Sequence, residues 1–313
     1  MKSGSSQILA SAGMIVLGMA IIGLNDNFVR FIAPHGGLWQ FQAARSAVAV
    51  PILLAFMVWN RTAFRIVSFS GLLWRTLAMT VSIFLYFATI PIIPIAHVGA
   101  GLFTAPIWVL VWSVLLFHLR VGPWRIGAIF LGFLGVVLIL RPESGDFSFW
   151  VLLPLAGGAL YGLANLLTRE WCGEESTSVV TLVFFAAMGI TGVAVSAGLS
   201  FADLPQATGD AAFLLQGWRW AATPFWLWSF VQAVLALAGV ALINRGYLGA
   251  ETSAVAVFEY SYLIFAGFWG WVLWSQNLAP RDLAGIALII AAGAIIAWRE
   301  RANQAALAVA NRV

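Results

Sequence analysis

Four ionisable side chains sit inside or at the mouths of long apolar runs: Asp26, Arg30, Arg45 and Glu259. A charge at the bilayer centre costs about 2.5–3.5 kcal/mol on insertion scales, so such groups pair or line a wet cavity. Asp26 and Arg30 belong to "GLNDNFVR" (23–30), which follows a stretch, 8–24, with no ionisable group. Spaced acid-first by four residues, they stack on one face of a helix. Arg30 then reads as a gating or interfacial cation at the helix mouth, with Asp26 about 6 Å deeper. Either this is a helix end with a local ion pair, or Asp26 lines a central cavity; Asn25 and Asn27 add polarity that a helix end does not need.

Glu259 is expected about two turns into its own apolar run, flanked by Phe258, Tyr260 and Tyr262. A carboxylate there binds a cationic or hydrogen-bonding group, titrates in a proton-coupled cycle, or bonds helices together through Arg45. Arg45, seven residues into its run, neutralises Glu259 or Asp26 or touches a ligand directly. His97, beside Gly99 and Gly101, is either a pH-sensitive group or an interface residue. His35 and His118 fall in expected loops, and the three histidines make no metal-ligand spacing, so no metal or other cofactor is expected.

The aromatic residues divide into two sets. Trp39, Trp59, Trp74, Trp124, Trp150, Trp171, Trp218, Trp220 and Trp298 fall near the ends of apolar runs, as an interfacial belt does. Phe103, Trp108, Trp112, Tyr260, Tyr262 and Trp269 lie within two runs at equivalent places, where they pack helices or stack on a flat or cationic ligand.

These residues are carried by a 313-residue chain that is 62% hydrophobic and 9% charged, with a mean hydropathy of +0.95. Soluble domains carry about 25% charged residues, so this is an all-α integral membrane protein surrounded by lipid. Its cations are scattered at run ends and form no stripe that could follow a phosphate backbone, which excludes nucleic acid as a partner. Lone Cys172 excludes an internal disulfide.

Ten apolar runs are long enough to cross a bilayer: about 8–32, 38–59, 72–92, 96–117, 124–140, 149–168, 178–199, 224–244, 252–274 and 282–298. The first fits a spanning helix better than a cleaved signal peptide. The connection 200–223 is long enough to lie on the membrane surface as a cap. With the N-terminus inside, eleven cations lie on the cytoplasmic side: Lys2, Arg61, Arg65, Arg75, Arg120, Arg125, Arg169, Arg245, Arg299, Arg301 and Arg312. The outer side holds Arg30, Arg141, Arg219 and Arg281. That bias places both termini in the cytoplasm and the chain in the cell (inner) membrane.

The two halves echo one another. "GLNDNFVR" (23–30) is matched by "GLANLLTR" (162–169), with Asp26 opposite Asn165, and "GAIFLGFLG" (127–135) by "GIALIIAAG" (285–293). Five spans per half forces the second to insert upside down, the inverted-repeat plan of many transporters, with substrate near the midplane between halves. The expected units are 1–141 and 142–313. Gly158 and Gly162 form a GxxxG, and Ala128, Gly132 and Gly285 mark spans 5 and 10; these allow close helix packing or dimer contacts, so monomer and homodimer both stay open.

Pro106 leading into "LLFHLRVGPWRIGAIFLGFLGVVLILRP" (115–142), the second copy "FEYSYLIFAGFWGWVLWSQNLAPRDLAGIALIIAAGAIIAWRE" (258–300), and Arg45 in "FQAARS" (41–46) resemble the drug/metabolite transporter superfamily, EamA type, over about 8–298. Leu119 and Gln276 stand where such repeats carry a glutamate, and Leu263 where the second carries a proline, so no role attached to those positions carries over. The resemblance implies a secondary transporter of a small organic metabolite (amino-acid-like, nucleoside-like or vitamin-like) working by alternating access, proton-coupled or by exchange. From their charge, polarity or rings inside apolar runs, Glu259, Asp26, Arg45, Tyr260, Tyr262, Phe103, Trp108, Asn165 and Trp269 are the residues expected to bind substrate or couple its movement. A membrane enzyme is the competing class, but the chain has no HExxH, GxSxG or grouped Asp/His set, and no catalytic residue is expected.

Overall fold

The computed structural model describes residues 2–118, 123–140, 149–202, 209–249 and 256–310. Expected features at Leu119, Arg120, Arg141 and Arg312, and the start of the ninth span at Thr252, lie outside the described residues.

In chain order the helices are α1 (Lys2–Asn27), α2 (Val29–Ile32), α3 (Leu38–Trp59), α4 (Phe69–Thr89), α5 (Ile95–Leu102), α6 (Ala105–Phe117) and α7 (Pro123–Leu140). There follow α8 (Leu152–Trp171), α9 (Thr177–Phe201), α10 (Ala212–Leu215), α11 (Thr223–Gly249), α12 (Ser261–Trp274) and α13 (Pro280–Ala310). Short 3-10 turns at Phe149–Val151, Gly209–Ala211 and Ala256–Tyr260 join some of them, and among the described residues there is no strand. Backbone groups in hydrocarbon must bond within their own segment, which is why so apolar a chain forms helices alone. Among the described residues, seven segments are long and apolar enough to cross a membrane: Leu9–Ile32, Leu38–Trp59, Phe69–Thr89, Ile95–Leu116, Phe149–Trp171, Thr177–Phe201 and Thr223–Gly246. The chain is a multi-pass membrane protein.

The packing pairs are specific. α1 lies against α11 and α12, and α8 lies against α4 and the α5–α6 segment. α3 packs on α9, and α7 on α13. Glycines make several of these approaches possible. A Cβ on Gly162 would meet the Ala105 carbonyl at 2.8 Å, and one on Gly23 would meet the Ala266 amide at 2.9 Å. Gly135 is pressed in the same way against the Gly285 carbonyl, at 2.6 Å. The paired glycines of "GLNDNFVR" and "GLANLLTR" therefore both serve contact with a broken helix. Those broken helices also end alike: α6 at His118 and α12 at Ser275, each in the left-handed region at φ 53°. Such caps close the last turn's carbonyls.

The connections are tied down at opposite faces. At the face where α1 ends, Trp39 Nε1 donates to the Leu214 carbonyl (2.7 Å) and Gln40 Nε2 to the Arg219 carbonyl (2.7 Å). Arg219 Nη2 donates to the Pro34 carbonyl at 3.4 Å. The segment 209–222, expected as a surface cap, is thus a strap bound to the start of α3, with Phe213 buried beneath it. At the other face the Glu175 Oε1 accepts from the amides of Val67 (2.7 Å) and Ser68 (2.8 Å), holding the α3–α4 connection.

Gly162→Leu forces bulk into the α8/α6 contact and is expected to destabilise the fold by about 1–3 kcal/mol. Gly127→Leu, where an added Cβ meets nothing within 4 Å, is expected to stay within about 0.5 kcal/mol of the parent. Equilibrium unfolding in micelles compares the two.

Candidate functional site

α1 does not run unbroken through "GLNDNFVR". It ends at Asn27, Phe28 forms a turn, and α2 begins at Val29. That break separates Arg30 from Asp26 and changes what each can reach. Arg30 Nη2 donates to the Ile93 carbonyl (2.7 Å), and its guanidinium lies 5.9 Å from the Trp274 ring. The expected Asp26–Arg30 stacking is replaced by two separate sets of contacts. Around Arg30, Phe31 stacks on Trp228 at 4.8 Å and meets Trp274 at 4.7 Å, so aromatic rings and a cation close this face together.

Asp26 faces inward because of helical phase. With 3.6 residues per turn, Gly18 and Ile22 face α11 while Gly23 and Asn27 face α12, and Asp26 falls between the two contact faces. It is 5% exposed. Its Oδ2 accepts hydrogen bonds from the Tyr86 hydroxyl of α4 (2.6 Å) and the Tyr262 hydroxyl of α12 (3.0 Å). The two tyrosine hydroxyls also contact each other. Asn27 Nδ2 caps the Gly23 carbonyl at 2.8 Å and so steadies the last turn beneath the acid.

Arg45 is buried and within electrostatic range of Asp26. Its guanidinium carbon lies 5.1 Å from the Phe87 ring and 5.2 Å from Phe185. Two flanking rings attract a desolvated cation and leave only its edge for hydrogen bonding. Nη1 reaches Gln42 Oε1 at 3.4 Å. Phe103 stacks on Tyr262 with centroids 5.0 Å apart and lies 6.0 Å from Tyr260. Asp26, Arg45, Tyr262, Phe103 and Tyr260 thus come together through a hydrogen-bonded and aromatic chain.

The other expected residues stand elsewhere. Glu259 lies in the 3-10 turn that leads into α12, the expected start of its span lying outside the described residues, and acts electrostatically on Tyr161 and Tyr260. Asn165 bonds Tyr161 one turn back along α8, and Arg75 Nε donates to Thr168 Oγ1 at 3.0 Å. These make a second polar group around α8. Tyr161 and Asn165 fall between the α8 face on α4 and the face carrying Gly158 and Gly162, the same angular place Asp26 holds on α1. Asn165 is nevertheless exposed where Asp26 is buried. Trp108 packs on Trp112 and Phe133, and Trp269 on its neighbour Phe268. His97 Nε2 lies 3.6 Å from Asp282 Oδ2, a pair almost withdrawn from solvent.

Sequence reasoning missed Tyr86, Tyr161, Gln232 and Asp282. Their shared signal is a hydrogen-bonding or charged group inside or at the end of an apolar run. Tyr86, one of five tyrosines in the chain, was the most legible of them.

No family model matches the chain. It is 27% identical to a riboflavin transporter of Rhizobium johnstonii over 233 residues, 72% of this chain and 71% of that protein. It is 23% identical to the pseudopaline exporter CntI of Pseudomonas aeruginosa over 208 residues, 66% of this chain and 67% of that one. A solved crystal structure superposes with a TM-score of 0.59 at 16% identity, covering 93% of this chain and 98% of the other, a likeness of fold. A multi-helix fold with an inward-facing polar centre, similar in sequence to transporters and exporters, defines the class: the chain is a membrane transporter and not an enzyme.

Because both tyrosines bond one carboxyl oxygen, their contributions are coupled. Tyr86→Phe and Tyr262→Phe are each expected to cost about 1.5–3 kcal/mol. The double variant should differ from their sum by about 0.5 kcal/mol or more, measured in a double-mutant cycle of unfolding.

Proposed function

We propose that the chain is a secondary transporter of the EamA type, with ten spans arranged as two inverted five-helix repeats, 1–141 and 142–313. On this reading it lies in the cell inner membrane with both termini cytoplasmic and moves a small organic metabolite by alternating access. The observation that carries the reading is Asp26, one buried carboxyl held at once by Tyr86 of the first half and Tyr262 of the second. A bond set shared between halves must remake itself whenever they rock, so a ligand or proton at Asp26 biases that motion.

Three further observations support the two-repeat reading. Exchanging the first five spans for the last five maps α1 on α11 to α8 on α4, and α1 on α12 to α8 on α5–α6. The pairs α3–α9 and α7–α13 map onto themselves. The strap on Gln40 and the Glu175 clamp sit at opposite faces, as inverted counterparts do.

The buried Asp26 and exposed Asn165, at matching positions, fit a state closed outside and open to the cytoplasm. Phe103 on Tyr262 offers stacking for a planar ring, and a riboflavin transporter among the relatives makes riboflavin the first substrate to test. Asp26 is the coupling group and Glu259, with Tyr161 and Asn165, guards the cytoplasmic approach.

Reconstituted vesicles with an imposed pH gradient, exchange substrate inside, or neither, are expected to move riboflavin in at least one arrangement. Asp26→Asn should abolish any gradient-driven component while leaving the protein folded. Glu259→Gln should change the pH profile on the cytoplasmic side. Unchanged flux in both variants would remove the assigned roles of these acids.

A further inference from the structure

Where α1 crosses α11, close pairs recur at seven-residue steps. A Cβ on Gly246 would meet the Ser11 carbonyl at 2.8 Å, and one on Gly18 would meet the Gly239 carbonyl at 2.9 Å. The next step along both helices sets Asn25 opposite Gln232. Just beyond it, Phe28 and Trp228 touch with ring centroids 4.8 Å apart, so the register holds across the pair.

Both carboxamides are buried, at 1% and 0% exposure. Asn25 Nδ2 and Oδ1 and Gln232 Nε2 and Oε1 all lack a hydrogen-bond partner. Gln42 Nε2, Arg45 Nε, Ser46 Oγ and Ser229 Oγ lack partners as well. α3 belongs to the same neighbourhood, because it packs on α11 and Gly36 abuts the Phe225 ring. Gln42, six residues past Gly36, therefore lies at the depth of Gln232, seven past Phe225.

Native interiors leave few polar groups unpaired, and each one left so carries its desolvation penalty. Two amides needed only for packing would close on each other through N–H to O bonds. Here α1, α3 and α11 each carry unanswered donors or acceptors at about the depth of Asp26. We propose that Asn25 and Gln232 form a carboxamide clamp for the neutral donor–acceptor edge of a substrate: an imide, lactam or primary amide. Each amide offers an N–H to a substrate carbonyl and an oxygen to a substrate N–H. Gln42 and the free edge of Arg45 add donors for a second carbonyl. The carboxyl of Asp26 has its Oδ2 committed to two tyrosines, so the clamp supplies recognition while Asp26 supplies coupling.

This inference rests on the transporter reading and names the chemistry its substrate must carry. A site whose buried groups need a substrate hydrogen bond rejects analogues lacking it strongly. The test uses the full chain in micelles, with binding read by thermal stabilisation and by tryptophan fluorescence. The probes are riboflavin, uracil and nicotinamide, each beside a counterpart N-methylated at its imide or amide nitrogen. The parent protein is expected to prefer at least one unmethylated probe by about 10-fold or more.

The double variant Asn25→Leu/Gln232→Leu is expected to melt no lower than the parent and to lose that preference. The exchange Asn25→Gln/Gln232→Asn is expected to keep most of it. Gln232→Met gives the same reading if the double variant does not fold. The proposal is overturned if the parent shows no preference for any unmethylated probe, or if the leucine or methionine variant keeps the parent's preference. Preference without riboflavin flux would sink riboflavin as the transported molecule and leave the clamp standing. Riboflavin flux indifferent to both amides would sink the clamp and leave the transporter.

Discussion

A carboxyl placed where hydrocarbon surrounds the helices must find partners, and Asp26 finds them on two other helices. Leaving it unpaired would cost several kcal/mol, so α4 and α12 must bring Tyr86 and Tyr262 to it together. α12 reaches α1 closely because Gly23 leaves room for it, while α4 reaches Asp26 through the length of the Tyr86 side chain. The turn at Phe28 releases Arg30 toward Ile93 and Trp274, and the face of the bundle closes around that cation. One buried acid thus organises the centre, while the aromatic closure above it depends on the helix break that follows.

Arg45 shows how a second charge is accommodated without a direct ion pair. Phe87 and Phe185 face the guanidinium, and Asp26 lies within electrostatic range. An arginine held this way keeps its charge, and its edge remains available. Polar groups nearby on α1, α3 and α11 also remain unanswered. A transporter has reason to tolerate such groups, because their partners arrive and leave with the cargo. A static scaffold would have replaced them with apolar side chains.

Much of this architecture was legible beforehand. Charge depletion and long apolar runs specify membrane helices, because hydrocarbon admits little else from such a chain. The positions of Asp26, Arg45 and Tyr262 as unusual polarity inside those runs were equally plain. Gly23 and Gly162, the glycines that open "GLNDNFVR" and "GLANLLTR", both stand at close helix approaches. What differed was local: Asp26 and Arg30 were expected on one continuous helix, and a turn at Phe28 lies between them. The turn at Phe28 leaves a weak trace in apolar sequence, where no proline or glycine marks it.

The sequence by itself determined that this chain lives in a membrane as helices, and which few polar residues had to be accounted for there. Those properties follow from composition and from spacing along one strand of chain. Tertiary structure alone decided which partner each polar group found: Tyr86 and Tyr262 for Asp26, and Asp282 for His97. Residues 60 to more than 200 positions apart meet through helix packing. The register of two apolar surfaces is set by the fit of glycines and large side chains, a property that belongs to both helices at once.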